Sequence, residues 1–224
     1  SAGEKRPVFM WFHGGGLNTG YSFETEFDNS ELARRGIVVV TVGQRLNIFG
    51  YLCCSQLSEE QGGKSGNYGL MDEVKALDWV SENIAAFGGD PDNITVGGQS
   101  GGTAKSGALA SSPYQRGRIK RVINQSSLNW NAHYTTIEDA ERRARRYFEA
   151  IGVNPDCTVE ELRAMDAEIF YTKLPRFDFN DPDAVMIPGS MVFDGDYVAC
   201  EREEEAIDRY AGHCDYLSGV NWGE

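Results

Sequence analysis

Ser100 lies in the run Gly97-Gly98-Gln99-Ser100-Gly101-Gly102, directly after Ile94-Thr95-Val96 and ahead of a segment of helical character. Gly98 to Gly102 fits the pattern G-x-S-x-G. Small residues two before and two after a serine let a strand turn sharply into a helix. Such a turn lifts the hydroxyl above a sheet and sets a helix N-terminus beneath it. The chemistry it serves is attack on an acyl carbon, with the N–H of the next residue, Gly101, aimed at the oxyanion that forms. Glycine-rich strand-to-helix turns also hold phosphate, so this pentapeptide by itself leaves two chemistries open.

His13-Gly14-Gly15-Gly16 shifts the balance toward acyl transfer. It closes an apolar run, Pro7 to Phe12, upstream of the serine. A tetrahedral oxyanion needs at least two converging N–H donors, and consecutive glycines let a loop backbone come close enough to offer them. Loss of one such donor costs about 3–4 kcal/mol of transition-state stabilisation.

These two turns need a scaffold, and the hydrophobic pattern supplies it. Apolar runs at Pro7–Phe12, Gly36–Val42, Asn93–Gly98, Arg121–Ser126 and Cys214–Asn221 read as strands buried on both faces, as in a parallel sheet under helices. Between them, Leu70, Val74, Leu77, Val80, Ile84 and Phe87 recur at helical spacing and stop at Gly88-Gly89. Ile137, Ala140, Ala144, Tyr147, Phe148 and Ile151 do the same and end at Gly152. Thr135 with Glu138, and Thr158 with Glu161, have capping-box spacing. Glu203-Glu204-Glu205 reads as the start of a further helix, where negative charge suits the positive end of the dipole. Alternation of strand and helix gives an α/β fold. The stretches Cys53–Tyr68 and Leu174–Ser190 are irregular and suit a pocket rim.

The totals narrow the function. The 224 residues, 41% hydrophobic and 25% charged, suit a soluble globular chain. Net charge is −13, with no basic block, so nucleic acid is not expected as a partner. No apolar run approaches the roughly 20 residues of a membrane-spanning helix. The five cysteines, Cys53, Cys54, Cys157, Cys200 and Cys214, fit no zinc spacing. No metal or organic cofactor is implied. Asn93-Ile94-Thr95 and Asn124-Gln125-Ser126 fit glycosylation sequons but fall at or in strands.

Taken in order, these motifs resemble the type-B carboxylesterases and lipases, the family of the cholinesterases. The resemblance covers nearly the whole chain. It rests on "VFMWFHGGGLNTG", "QRLNIFGYL", the long "GNYGLMDEVKALDWVSENIAAFGGDPDNITVGGQSGG", "INQSS", and "FDGDY" with "YLSGVNWGE". The hormone-sensitive-lipase-like family shares the two glycine motifs but lacks the "ENIAAFGGDPDNIT" lead. The resemblance implies an α/β-hydrolase fold with a central, mostly parallel sheet and flanking helices. It implies a serine esterase that works through an acyl-enzyme.

Carried over residue by residue, Ser100 is the expected nucleophile, and Gly15, Gly16 and Gly101 are the expected oxyanion donors. Glu224 is the expected acidic triad member, although Trp222 and Gly223 depart from the family pattern. Gly101 stands where the family usually has alanine, and Gln99 where many members have glutamate. Ser126 matches a buried serine that hydrogen-bonds the acid, and Arg45 an arginine in a structural ion pair. Trp130, His133, Phe177 and Phe179 are acyl-pocket candidates. Of the three histidines, His13 belongs to the glycine loop. His213 precedes its strand, whereas sites in such sheets lie at strand C-terminal ends. The family order is serine, acid, histidine, so the general base is expected from outside these residues. The expectation is a single partial domain of a longer enzyme, whose remaining segments are partners, as further sequence or as separate chains. The other partner is a small ester. A non-catalytic cholinesterase-like binding or adhesion protein is the alternative, disfavoured by the retained serine and glycine loop. Localisation is left open, with cytoplasmic placed ahead of secreted.

Overall fold

Val8, Met10 and Phe12 are fully buried on one face of the first strand, while Phe9 and Trp11 point to the other. That alternation seats strand β1, Arg6–Phe12, at the heart of a parallel sheet. The computed structural model describes residues 3–25, 28–126, 133–172, 185 and 187–222. Its main sheet also contains β2 (Val38–Val42), β3 (Gly89–Gln99), β4 (Ile119–Gln125) and β7 (Asp215–Gly219), in the order β2-β1-β3-β4-β7. Every neighbouring pair in it is parallel. A second, two-stranded sheet pairs β5 (Thr135–Thr136) with β6 (Val192–Phe193).

The helices are α1 (Ser30–Arg34), α2 (Asn47–Tyr51), α3 (Ser55–Glu60), α4 (Tyr68–Asn83), α5 (Gly101–Ala110), α6 (Ile137–Ile151), α7 (Val159–Ala164), α8 (Ile169–Thr172) and α9 (Glu203–Ala206). Leu70, Val74, Leu77 and Val80 of α4 and Leu109 of α5 pack with β1 and β3 into the main core. A second cluster joins Ile48, Leu52 and Cys54 to Tyr147, Phe148 and Ile151 of α6. No helix among the described residues is long and apolar enough to cross a membrane.

Several expectations need correction. The outer strands are not buried on both faces. Among the described residues, all of β2 except Val42 is part-exposed or exposed, and β7 is exposed along most of its length. The helical stripe from Leu70 tightens into a 3₁₀ turn over Ile84–Phe87, and Phe87 lies outside against Trp79. Gly88 then takes the left-handed conformation that ends it. The capping box at Thr158 forms in full. The one read at Thr135 moves by a residue: Thr136 caps α6 and accepts from the Asp139 N–H. Thr135 is held instead in β5, opposite Val192. Helix α3 interrupts the stretch read as irregular between Cys53 and Tyr68. Most of Leu174–Ser190 lies outside the described residues.

Candidate active site

Strand β3 ends at Gln99 and helix α5 begins at Gly101, so Ser100 is the whole of the turn between them. Its backbone has φ 54° and ψ −119°, a region that side chains other than glycine's avoid at a cost of about 1–3 kcal/mol. Hydrogen bonds hold it there. The Ser100 N–H donates to Gln125 O at 2.8 Å, at the end of β4. The Thr103 N–H donates back to Ser100 O at 2.9 Å, and Thr103 Oγ1 to Gln125 O at 3.1 Å. The Ser100 residue itself is exposed.

The flanking glycines are there because backbone comes too close for anything else. A Cβ at Gly98 would lie 2.5 Å from Gly102 O and 2.6 Å from Phe12 O. One at Gly102 would lie 2.1 Å from Phe12 O. Both contacts bring the turn against the end of β1, where the glycine loop starts.

The glycine loop meets the serine turn directly. Gly15 and Gly16 have φ 82° and 63°, and the Thr19 N–H closes the loop on Gly15 O at 3.1 Å. A Cβ at Gly101 would stand 2.3 Å from the N, Cα and O of Gly16, against an ordinary contact of about 3.5–4.0 Å. A Cβ at Gly14 would be 2.9 Å from Gln99 Oε1 and 3.8 Å from Ser100 Cβ. The structure therefore brings Ser100, Gly101, Gly15, Gly16 and Gln99 together at the C-terminal ends of β1 and β3. We expect Gly101→Ala to push the loop outward by an ångström or so and to lower kcat/KM about 100-fold, with the fold retained. Steady-state kinetics alongside circular dichroism would check it.

Other predicted residues fall elsewhere. Ser126 follows β4 with φ 59°, and its N–H donates to Gly219 O of β7 at 2.7 Å. Gln99, Ser126 and Asn221 line a cleft of about 490 Å³ beside the turn, with Ile123 and Leu217 on its wall. Arg45 forms the expected ion pair: Nε and Nη2 each reach Asp72 at 2.8 Å, tying the segment after β2 to α4. His213 sits at the start of β4, its Nε2 3.1 Å from Ile119 O, far from Ser100. His133 bridges Arg202. Glu224, Trp130, Phe177 and Phe179 lie outside the described residues.

His13 is buried under the loop, with Nδ1 2.8 Å from Gly14 O. Burial and the nearby Lys105 push its pKa below the ordinary histidine value. The unfolded chain then binds a proton near pH 6.5 that the folded chain refuses, so this group's contribution to stability is lost as pH falls below 6.5. The expected result is a drop in Tm from pH 7.0 to 5.5 that is smaller in His13→Gln than in the wild type, read by thermal melts at both pH values.

Sequence reasoning missed the charges behind the loop. Lys105 of α5 and Glu73 of α4 are fully buried, with Tyr51 beside Glu73. The available signal is that Lys105 is the lone charged residue between Asp92 and Arg116.

A parallel sheet with a strained serine between β3 and α5, met by a glycine loop from β1, defines an α/β-hydrolase. Comparison with known proteins carries this further. The carboxylesterase family model matches residues 1–224, and the chain belongs to that family. It is 38% identical over 163 residues to para-nitrobenzyl esterase of Bacillus subtilis, covering 72% of this chain and 32% of that protein. It is 34% identical to bile salt-activated lipase of Bos taurus, covering 96% of this chain and 37% of the lipase. The chain thus spans about a third of the length of these relatives. Among solved structures, a PNB esterase superposes with a TM-score of 0.82 at 32% identity, over 100% of this chain and 47% of the other. The Geobacillus stearothermophilus carboxylesterase EST55 superposes with a TM-score of 0.82 at 35% identity, over 97% of this chain and 46% of the other.

Proposed function

We propose that this chain carries the nucleophile and oxyanion-binding part of a serine carboxylester hydrolase. The observation that supports it most is the approach of Gly16 to Gly101, which sets two separate glycine turns around one exposed serine. Ser100 Oγ attacks the ester carbonyl as its proton passes to a histidine from the remainder of the enzyme. The Gly15, Gly16 and Gly101 N–H groups stabilise the oxyanion. Collapse expels the alcohol, which takes that proton, and leaves an acyl-enzyme. Water then attacks by the reverse proton path, releasing the acid and restoring Ser100. Glu224 holds the histidine in the reactive tautomer and stabilises its cation. Small aliphatic or aryl esters are the substrate class.

The test is a fluorophosphonate probe applied to the native-length protein, followed by peptide mapping. Phosphonylation at Ser100, together with p-nitrophenyl acetate turnover that the probe abolishes, is the expected result. An unlabelled Ser100 would end this reading.

A further inference from the structure

Helix α5 begins at the serine turn and, one turn on, directs Lys105 back into the interior, where it is fully buried. Its Nζ lies 3.0 Å from His13 O, 3.5 Å from Gly14 O and 3.4 Å from His13 Nδ1. The Gln44 amide, turned so that its nitrogen donates to Val42 O, presents its oxygen to the same Nζ at 3.1 Å. Both backbone carbonyls therefore belong to the glycine loop, while the ammonium belongs to the nucleophile helix.

The peptide geometry gives this contact a direction. In a trans peptide the C=O and N–H point to opposite sides. His13 O shares its peptide unit with the Gly14 nitrogen, and Gly14 O shares its unit with the Gly15 nitrogen. A cation that draws both carbonyls inward turns both N–H groups outward. A positive charge on the carbonyl side also polarises each unit in the sense that makes its N–H a better donor. We propose that Lys105 is a positioning residue for ester hydrolysis, clamping the His13 and Gly14 carbonyls to the nucleophile helix so that the Gly15 N–H, which shares its peptide with Gly14 O, stays aimed at the oxyanion. This rests on the esterase reading above.

A purely packing role accounts poorly for the choice of residue. A buried ammonium carries a large desolvation cost that a methionine of similar length avoids. Burial pulls the Lys105 pKa down to about 8, and the Glu73 and Glu24 carboxylates oppose that fall. Glu73 is the matching buried group, pushed up to about 8 by burial and held back by Lys105. The ammonium thus sits in a balanced, water-poor setting, where its pull on two carbonyls is strong.

The experiment uses the native-length enzyme, p-nitrophenyl acetate and a trifluoromethyl ketone, whose hydrated or serine-bound form mimics the tetrahedral intermediate. Wild-type turnover is measured first, and its absence would sink the esterase reading, and this inference with it, before any variant is made. With turnover present, Lys105→Met is expected to lower kcat about 10- to 100-fold, with KM within about twofold of wild type. Affinity for the ketone should fall by the same factor as kcat/KM. A folded variant with kcat within twofold of wild type, or with kcat lowered but ketone affinity unchanged, overturns the proposal while leaving the esterase reading intact. If Lys105→Met does not fold, the double variant Lys105→Met with Glu73→Gln, which removes both buried charges, is judged by the same criteria. If neither folds, Lys105 is structural and the proposal fails.

Discussion

Ser100→Ala is expected to lower kcat for a p-nitrophenyl ester by about 10⁴-fold or more while leaving the melting temperature within a few degrees of wild type. The activity loss follows from the mechanism. Without the hydroxyl no acyl-enzyme forms, and only the oxyanion donors and substrate binding remain to assist direct attack by water. The small effect on stability follows from the backbone. The strain at φ 54° belongs to the main chain, and serine and alanine bear it alike. The bonds that hold the turn run through the Ser100 N–H and C=O, which alanine keeps. A folded Ser100→Ala protein that retained more than a tenth of wild-type turnover would place the nucleophile elsewhere.

Gly102→Ala is expected to act the other way, on the fold before the chemistry. Its Cβ would enter 2.1 Å from Phe12 O and 2.9 Å from His13 O. Those atoms lie at the end of strand β1, where Phe12 is paired with Gly98 of β3. The three nearest atoms are all backbone of Phe12 and His13, so no flexible side chain can give way. Relief requires parting α5 from the junction of β1 and β3, at a cost of about 3 kcal/mol or more. Gly117→Ala is the comparison. Gly117 has φ 74° but nothing within 4 Å of an added Cβ, so only the conformational cost of about 1–2 kcal/mol applies. Denaturant melts of the two variants should differ by at least 1 kcal/mol. Equal destabilisation would mean that the turn yields more easily than its contacts indicate.

The parts of this fold that were legible in sequence are those set by local chemistry. The runs around Val8 and Val96, the glycine stops at Gly88 and Gly152, and the capping box at Thr158 each declare themselves within a few residues. The approximate place of His213, at the start of a strand, was legible too. What escaped depends on neighbours distant in the chain. Val38-Val39-Val40 reads as a strand buried on both faces, yet each of these residues is part-exposed, because what covers a strand is set by elements distant in the chain and not by residue type. Thr135 and Thr136 offer the same capping spacing, and pairing with Val192 in β6 decides between them. Gly101 read only as a departure from the family's usual alanine, whereas the space beside it is taken by Gly16. Lys105 was passed over, because its contact with Gly14 O depends on how the helix packs against the glycine loop far away in the chain.

The donors proposed to receive negative charge beside Ser100 are amides of glycines, and this decides how they can be interrogated. Replacing Gly15 by alanine would drive a methyl group to 2.5 Å from Thr19 O, so an ordinary mutational scan there reports crowding and never the missing hydrogen. Semisynthesis that exchanges one backbone nitrogen for oxygen keeps the shape and deletes only the donor. For the donor atoms themselves, atom-level chemistry on the main chain is the direct probe.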